Sequence, residues 1–168
     1  MLIKHAVCAI DNYNFEDKMM NNFLKTHAFV TNNSIAPLAL RLVAGIIFVA
    51  HGSQKLFAWF GGYGLEGTGQ WMASIGLEPG YAMALLAGSA EFFGGLLLIF
   101  GVLTRATGIV LALTMLVAIL AVHLENGLFM SNNGYEFGLA LFAMSISVAL
   151  SGAGRFSIDN LLHTKLNK

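Results

Sequence analysis

One cysteine, Cys8, stands in the whole chain. A single thiol closes no internal disulfide and leaves no Cys-x-x-Cys redox pair. It also excludes a thiolate cluster for zinc or iron–sulfur. The residues ahead of it, His5, Ala6 and Val7, are not the small-residue run of a lipoprotein site. The apolar stretch at 6–10 is too short for a signal-peptide core. Charge is scarce too. Only 11% of the 168 residues are charged, too few to coat a soluble domain of this size. Acidic and basic residues balance to a formal net charge of zero, with no basic patch and no interleaved aromatic platform, so nothing points to nucleic acid.

What is abundant is hydrocarbon. Hydrophobic residues make up 57% of the chain, and the mean hydropathy is +0.70. The length suits one domain. Four apolar runs, at about 38–60, 80–103, 105–124 and 135–151, are long enough to cross roughly 30 Å of hydrocarbon at about 1.5 Å per residue. The pattern predicts an all-α fold, a four-transmembrane-helix bundle over residues 37–153. A polar extension at 1–36 precedes it and a tail at 154–168 follows.

Basic residues set the expected orientation. Lys4, Lys18, Lys25 and Arg41 lie on the N-terminal side, Arg105 at the second connection, and Arg155, Lys165 and Lys168 in the tail. Apart from Lys55 at the end of the first run, the two longer connections carry no Lys or Arg. That is a positive-inside pattern. It predicts a multi-pass protein of a bacterial inner membrane with both termini cytoplasmic. Phe15, Met19 and Phe23 recur at helical spacing in the extension. They read either as an amphipathic helix at the headgroups or as a loosely ordered tail. Ile158, Leu161 and Leu162 suggest a short interfacial helix, with Arg155 snorkelling beside it.

Ionisable residues inside a span are costly and mark candidate sites. His51 and Lys55 share one helix face, four residues apart. Counted from Leu38, they lie about 20 and about 26 Å from the cytoplasmic edge. Lys55 is thus expected to snorkel to the outer surface, which the shorter His51 does not reach. Glu91 in the second run lies about 16 Å below the outer surface, near the midplane and within about two turns of His51. It is expected to be protonated, or hydrogen-bonded to His51 or water. Gly88 and Gly95 share its face and admit a close neighbour. His123, Glu125 and Asn126 end the third run, and Tyr135 and Glu136 open the fourth. In the fourth run Ala140, Ala143, Ser147 and Ser151 form a small stripe expected to pack inward. The polar groups therefore gather in the outer half, above a plain apolar inner half with Arg41 and Arg105 at its rim. His123, Glu125 and Glu136 read equally well as ordinary interface residues. Trp59, Trp71, Tyr63 and Tyr81 read as an interfacial aromatic belt.

The first and third runs echo each other. Both end in H-x4-L-F followed by Gly-Tyr, with His51 and His123 72 positions apart. This suggests two parallel helical-hairpin repeats. Other motifs fail. GYGLEG at 62–67 matches G-x-G-x-x-G but follows an apolar helix rather than a strand. His51 and His123 could in principle hold haem, without further support. No metal site is expected.

The stretches RLVAGIIFVAHGSQKLFAWFGGYGLEGTGQWMASIGLEPG, AGSAEFFGGLLLIFGVLTR and AVHLENGLFMSNNGYEFGLALFA resemble the DoxX family of bacterial membrane proteins. The likeness covers about residues 38–159, and the extension at 1–36 is longer than the family usually shows. The resemblance implies a bundle of four transmembrane helices and a role as a subunit of a quinone-linked oxidoreductase. It implies recurrent polar positions at His51, Lys55, Glu91, Arg105, His123 and Glu136, and it carries over no catalytic role. The combined expectation is an inner-membrane redox component that binds a quinone or similar lipophilic carrier. His51, Glu91 and Lys55 would be the catalytic groups. His51, Glu91, His123 and Glu136 would hold the carrier. A partner redox subunit or a second copy of the chain would assist. The competing expectations are a non-catalytic membrane anchor or assembly partner for a soluble redox enzyme, and a small proton-linked carrier.

Overall fold

The computed structural model describes residues 34–166, all helix and connection with no strand among them. The amphipathic reading of Phe15, Met19 and Phe23 lies outside the described residues. The first helix, α1 (Ala36–Phe57), starts with Pro37 in its opening turn, where a missing N–H costs nothing. It stops at Ala58, which adopts φ 59°. A 3-10 turn at Trp59–Gly61 leads to α2 (Gly64–Ser74). Helix α3 (Gly80–Phe100) follows the cis Glu78–Pro79 bond and ends at Gly101 in the left-handed region. Helix α4 (Thr104–Ala118) continues through a π turn at Ile119–His123 and a 3-10 turn at Leu124–Asn126. Then come α5 (Glu136–Ser151) and α6 (Ile158–Leu166).

Three helices, Ala36–Phe57, Gly80–Phe100 and Thr104–Asn126, are long and apolar enough to cross a membrane. The fourth apolar helix, α5, has 16 residues and reaches about 24 Å. These four match the four hydrophobic runs closely. Helix α2 was not expected, because its segment read as a polar connection. It forms because Thr68, Gly69 and Met72 make one buried face. Gly69 lies so near the start of α3 that a Cβ there would stand 2.9 Å from the Tyr81 Cα.

The helices pack as two tight pairs. In the α1–α3 pair, a Cβ on Gly45 would meet the Gly95 carbonyl at 2.8 Å, and one on Gly52 would meet the Gly88 carbonyl at the same distance. In the α4–α5 pair, a Cβ on Gly108 would stand 2.7 Å from the Ser145 carbonyl. Small residues that let backbones touch are a general means of helix association in lipid, where apolar burial gives no preference. Gly52→Ala is therefore expected to part α1 from α3 and cost about 1–3 kcal/mol by overpacking. Unfolding in mixed micelles measures this, with Leu120→Ala on the exposed face as the control. Equal stability of the two variants would refute the close contact.

The 72-residue echo survives locally. Tyr63 (φ −91°, ψ −7°) and Tyr135 (φ −90°, ψ −2°) cap the helices that follow them with the same backbone shape. One of those helices is the short α2 and the other is the apolar α5, so the repeated sequence leads into unlike elements.

The inner end is not plain apolar, and Arg41 is not at its rim. Arg41 is fully buried, donating to the Leu98 carbonyl at 3.2 Å and the Phe156 carbonyl at 2.6 Å. Asp159, also buried, accepts from the Leu103 N–H at 2.8 Å and the Thr104 N–H at 2.9 Å. Its own N–H donates to the Gly101 carbonyl. The first N–H groups of a helix need acceptors from outside it. The tight GVLT connection offers no side-chain cap, with Leu103 at φ 46° in the cap position. Asp159 supplies the missing acceptors, so the start of α6 is stitched across the ends of α1, α3 and α4. Arg105, half-buried, donates to the Ala149 carbonyl, and exposed Arg155 lies over the Phe156 ring at 5.6 Å.

Candidate functional site

Glu91 sits on α3 just outward of the place where α3 and α4 touch, at Gly94 and Leu111. It is 3% exposed. The ammonium of Lys55 on α1 reaches it, with Nζ 2.5 Å from Oε2. This corrects two expectations: Lys55 does not snorkel outward, and Glu91 takes its partner from Lys55 rather than from His51. The reason is the direction of helical side chains, which lean toward the helix N-terminus. For Lys55 that lean points into the bundle. Gly88 gives it room, since a Cβ there would stand 3.2 Å from the Lys55 Cβ. A lone carboxylate at mid-depth is costly, and an opposite charge in contact offsets much of that cost.

His51, one turn inward of Lys55, is half-buried. Its ring centroid lies 5.9 Å from that of Phe137 on α5, tilted by 48°. Among the described residues it makes no hydrogen bond, and Glu91 is not its partner. His123 lies in the π turn, a wide coil that recurs at functional sites. Its Nδ1 is 2.8 Å from the Asn133 carbonyl oxygen, which also accepts from the Asn126 amide. Glu136 accepts from the Met130 N–H at 2.6 Å. His123 and Glu136 thus pin the loop between α4 and α5.

Between the two helix pairs lies a cavity of about 1310 Å³. Phe48, His51 and Lys55 line it from α1, Ala87 and Glu91 from α3, and Thr114 from α4. Thr68, Trp71 and Met72 of α2 line its outer end. His123 is at its edge, while Glu136 is not part of the wall. Sequence reasoning brought His51 near Glu91 but sent Lys55 to the outer surface, and the structure gathers all three on one wall. It missed α2, and with it the place of Trp71 in the wall. The buried face of Thr68 and Met72 was the available signal. Among the described residues no group of His, Cys, Asp and Glu could hold a metal ion. The arrangement offers a carboxyl group, a cation and an imidazole at the wall of a largely apolar chamber.

The DoxX family model matches residues 36–124, from the start of α1 to the end of the π turn in α4. "Putative oxidoreductase CatD" of Bacillus subtilis (strain 168) is 41% identical over 125 residues, 74% of this chain and 85% of that protein. "Inner membrane protein YqjF" of Escherichia coli (strain K12) is 34% identical over 137 residues, 78% of this chain and 95% of that protein. An uncharacterised protein of Haemophilus influenzae is 31% identical over 133 residues, 75% of this chain and 90% of its own. No solved structure matches. The matched region contains α1, α3 and α4 with the Lys55–Glu91 pair, and the relatives extend over most of their own length, so the chain belongs to the DoxX family of membrane proteins.

Proposed function

We propose that this membrane protein is a component of a redox system and holds a quinone, or a similar lipophilic electron carrier, in the cavity between its two helix pairs. The observation that carries this reading is the buried Lys55–Glu91 pair in the wall of a large apolar chamber. Ligand sites typically combine such walls with a few placed polar groups. The oxidoreductase name of the Bacillus subtilis relative supports the same class. A bound carrier would supply the electron chemistry. Lys55 would donate a hydrogen bond to an oxygen of the carrier and stabilise negative charge developing there. Glu91 would give or take the accompanying proton, with His51 as a second donor. His123 would relay protons toward the outer side. No described side chain transports electrons, so a partner redox subunit or a bound cofactor completes the path.

In this reading α1, α3, α4 and α5 all cross the bilayer, and both termini face the cytoplasm. The distribution of Lys and Arg supports that orientation. The name of the Escherichia coli relative supports the inner membrane. Glu136 belongs to the loop rather than the carrier site, since its carboxylate is committed to Met130.

The test is purification of the full chain in mild detergent, organic extraction and quantification of quinone. Roughly one quinone per chain is expected, falling at least fivefold in Lys55→Met and in Glu91→Gln. A quinone-free preparation whose two variants behave like the parent would end this reading. A Soret band in the same spectrum would assign haem to the histidines instead.

A further inference from the structure

Helix contacts close several sides of the cavity. Helices α1 and α3 touch backbone to backbone along Gly45, Gly52, Gly88 and Gly95. Helices α4 and α5 do so at Gly108 and Ser145. His51 meets Phe137 across the α1–α5 side. Residues of α2 line the outer end, and the Arg41–Asp159 stitching closes the inner one. Two sides stay open: the outer end, where exposed Tyr63, Trp71 and Met130 line the wall, and the side between helices α3 and α4. These two helices are joined by the short turn after Gly101 and touch at Gly94 and Leu111. Beyond that contact the facing residues both line the cavity and stand open to the exterior. Leu86 is 65% exposed, Val110 49%, Leu113 57% and Val117 55%, and all four are in the cavity wall. Residues that are wall and surface at once mark an opening. Apart from Thr114 it is apolar, and it lies at the depth of the hydrocarbon in a protein whose helices cross it. Glu91, one turn outward of Gly94, stands at its floor.

We infer that the site is loaded sideways from the bilayer through this α3–α4 cleft, and that its ligand is a tailed lipophilic carrier whose polar head meets Lys55 and Glu91 while its apolar tail lies along Leu86, Leu113 and Val117. The inference rests on the carrier reading above and adds the route and the tail. Three features select a tailed occupant. The volume of about 1310 Å³ exceeds the upper end of about 1,000 Å³ usual for drug-sized ligands. The charged pair, Glu91 and Lys55, sits together with His51 beside it, while the other polar groups of the wall, such as Thr68, Thr114 and His123, are spread around it. The groove that runs from the pair to the exterior carries no charge, so it matches a hydrocarbon chain and offers nothing to a second headgroup.

Tryptophan fluorescence tests this directly. The chain has two tryptophans, Trp59 and Trp71, and Trp71 lines the cavity. In a Trp59→Phe background Trp71 reports occupancy. In a Trp71→Phe background Trp59 reports unspecific quenching by the detergent phase. The probes are decylubiquinone and the same benzoquinone head without a tail, titrated at fixed detergent concentration. Decylubiquinone is expected to quench Trp71 saturably, with an affinity at least tenfold above the tail-free head. Leu86→Phe on α3 and Val117→Phe on α4 fill the cleft from opposite sides. Each is expected to weaken the tailed probe at least tenfold and to leave the tail-free one within twofold. Val117 is already more than half exposed, so its larger replacement has room. Equal affinities for the two probes would overturn lateral loading and leave the carrier reading standing. So would tight binding of the tailed probe to both filled variants. Failure of both probes to quench Trp71 above the Trp59 control would remove both readings together.

Discussion

Lys55→Met is expected to destabilise the protein by about 3–5 kcal/mol, the usual cost of stripping the partner from a buried ion pair. Glu91 is 3% exposed, so its carboxylate would be left with little water to replace the ammonium. The reverse change should cost less. In Glu91→Gln the orphan is Lys55, whose side chain is 23% exposed and whose long stem can turn toward the outer surface. The double variant should recover much of the Lys55→Met loss, because a methionine facing a glutamine leaves no uncompensated charge. Unfolding of the full chain in mixed micelles gives all three values. Equal costs for the two single changes would mean that depth does not separate the partners. Additive losses in the double variant would mean that the two groups do not interact.

The second large effect lies at the other end of the bundle. Asp159→Ala should cost about 3 kcal/mol or more, since each hydrogen bond to a charged group is worth about 1.5–3 kcal/mol and two are lost from buried N–H groups. It also removes the carboxylate that acts on the buried charge of Arg41. Asp159→Asn keeps one acceptor oxygen and should lose about half as much. The same ordering should appear in limited proteolysis, with cleavage near residues 154–158 fastest in Asp159→Ala. A variant as stable and as resistant as the parent would show that α6 is not held by this residue.

How much of this could be read from the sequence follows from the range of each interaction. The hydrophobic runs depend on local composition, so α1, α3, α4 and α5 were legible almost to their ends. Helix α2 was hidden because Gly64, Gly67 and Gly69 argue against a helix locally, and only the closeness of α3 explains Gly69. His51 and Glu91 were legible as costly groups at similar depth, and Lys55 as a charge one turn further out. Their pairing was not, because depth counted along Cα positions ignores the lean of a side chain by most of a turn. Asp159 was illegible as a cap. It lies 55 residues from Thr104 in sequence, and nothing in the tail marks it as belonging to α4. His123 and Glu136 stood out by residue type, and their hydrogen bonds to Asn133 and Met130 show that a polar residue near a cavity can serve the loop instead.

The narrow contact between Gly94 and Leu111 has a mechanical meaning. It is a fulcrum. Each helix pair is stiffened by backbone-to-backbone packing, and the pairs meet through the core of Phe48, Leu98, Leu111, Met115 and Leu141 and at His51 and Phe137. From Gly94 to the outer tip of α3 at Gly80 the lever is about 21 Å long. A rocking of about 10° around that point would move the tip by about 4 Å, roughly the thickness of a hydrocarbon chain. A small tilt between two rigid arms is thus enough to widen or shut the passage. The stitching by Asp159 and Arg41 sets how freely the arms swing.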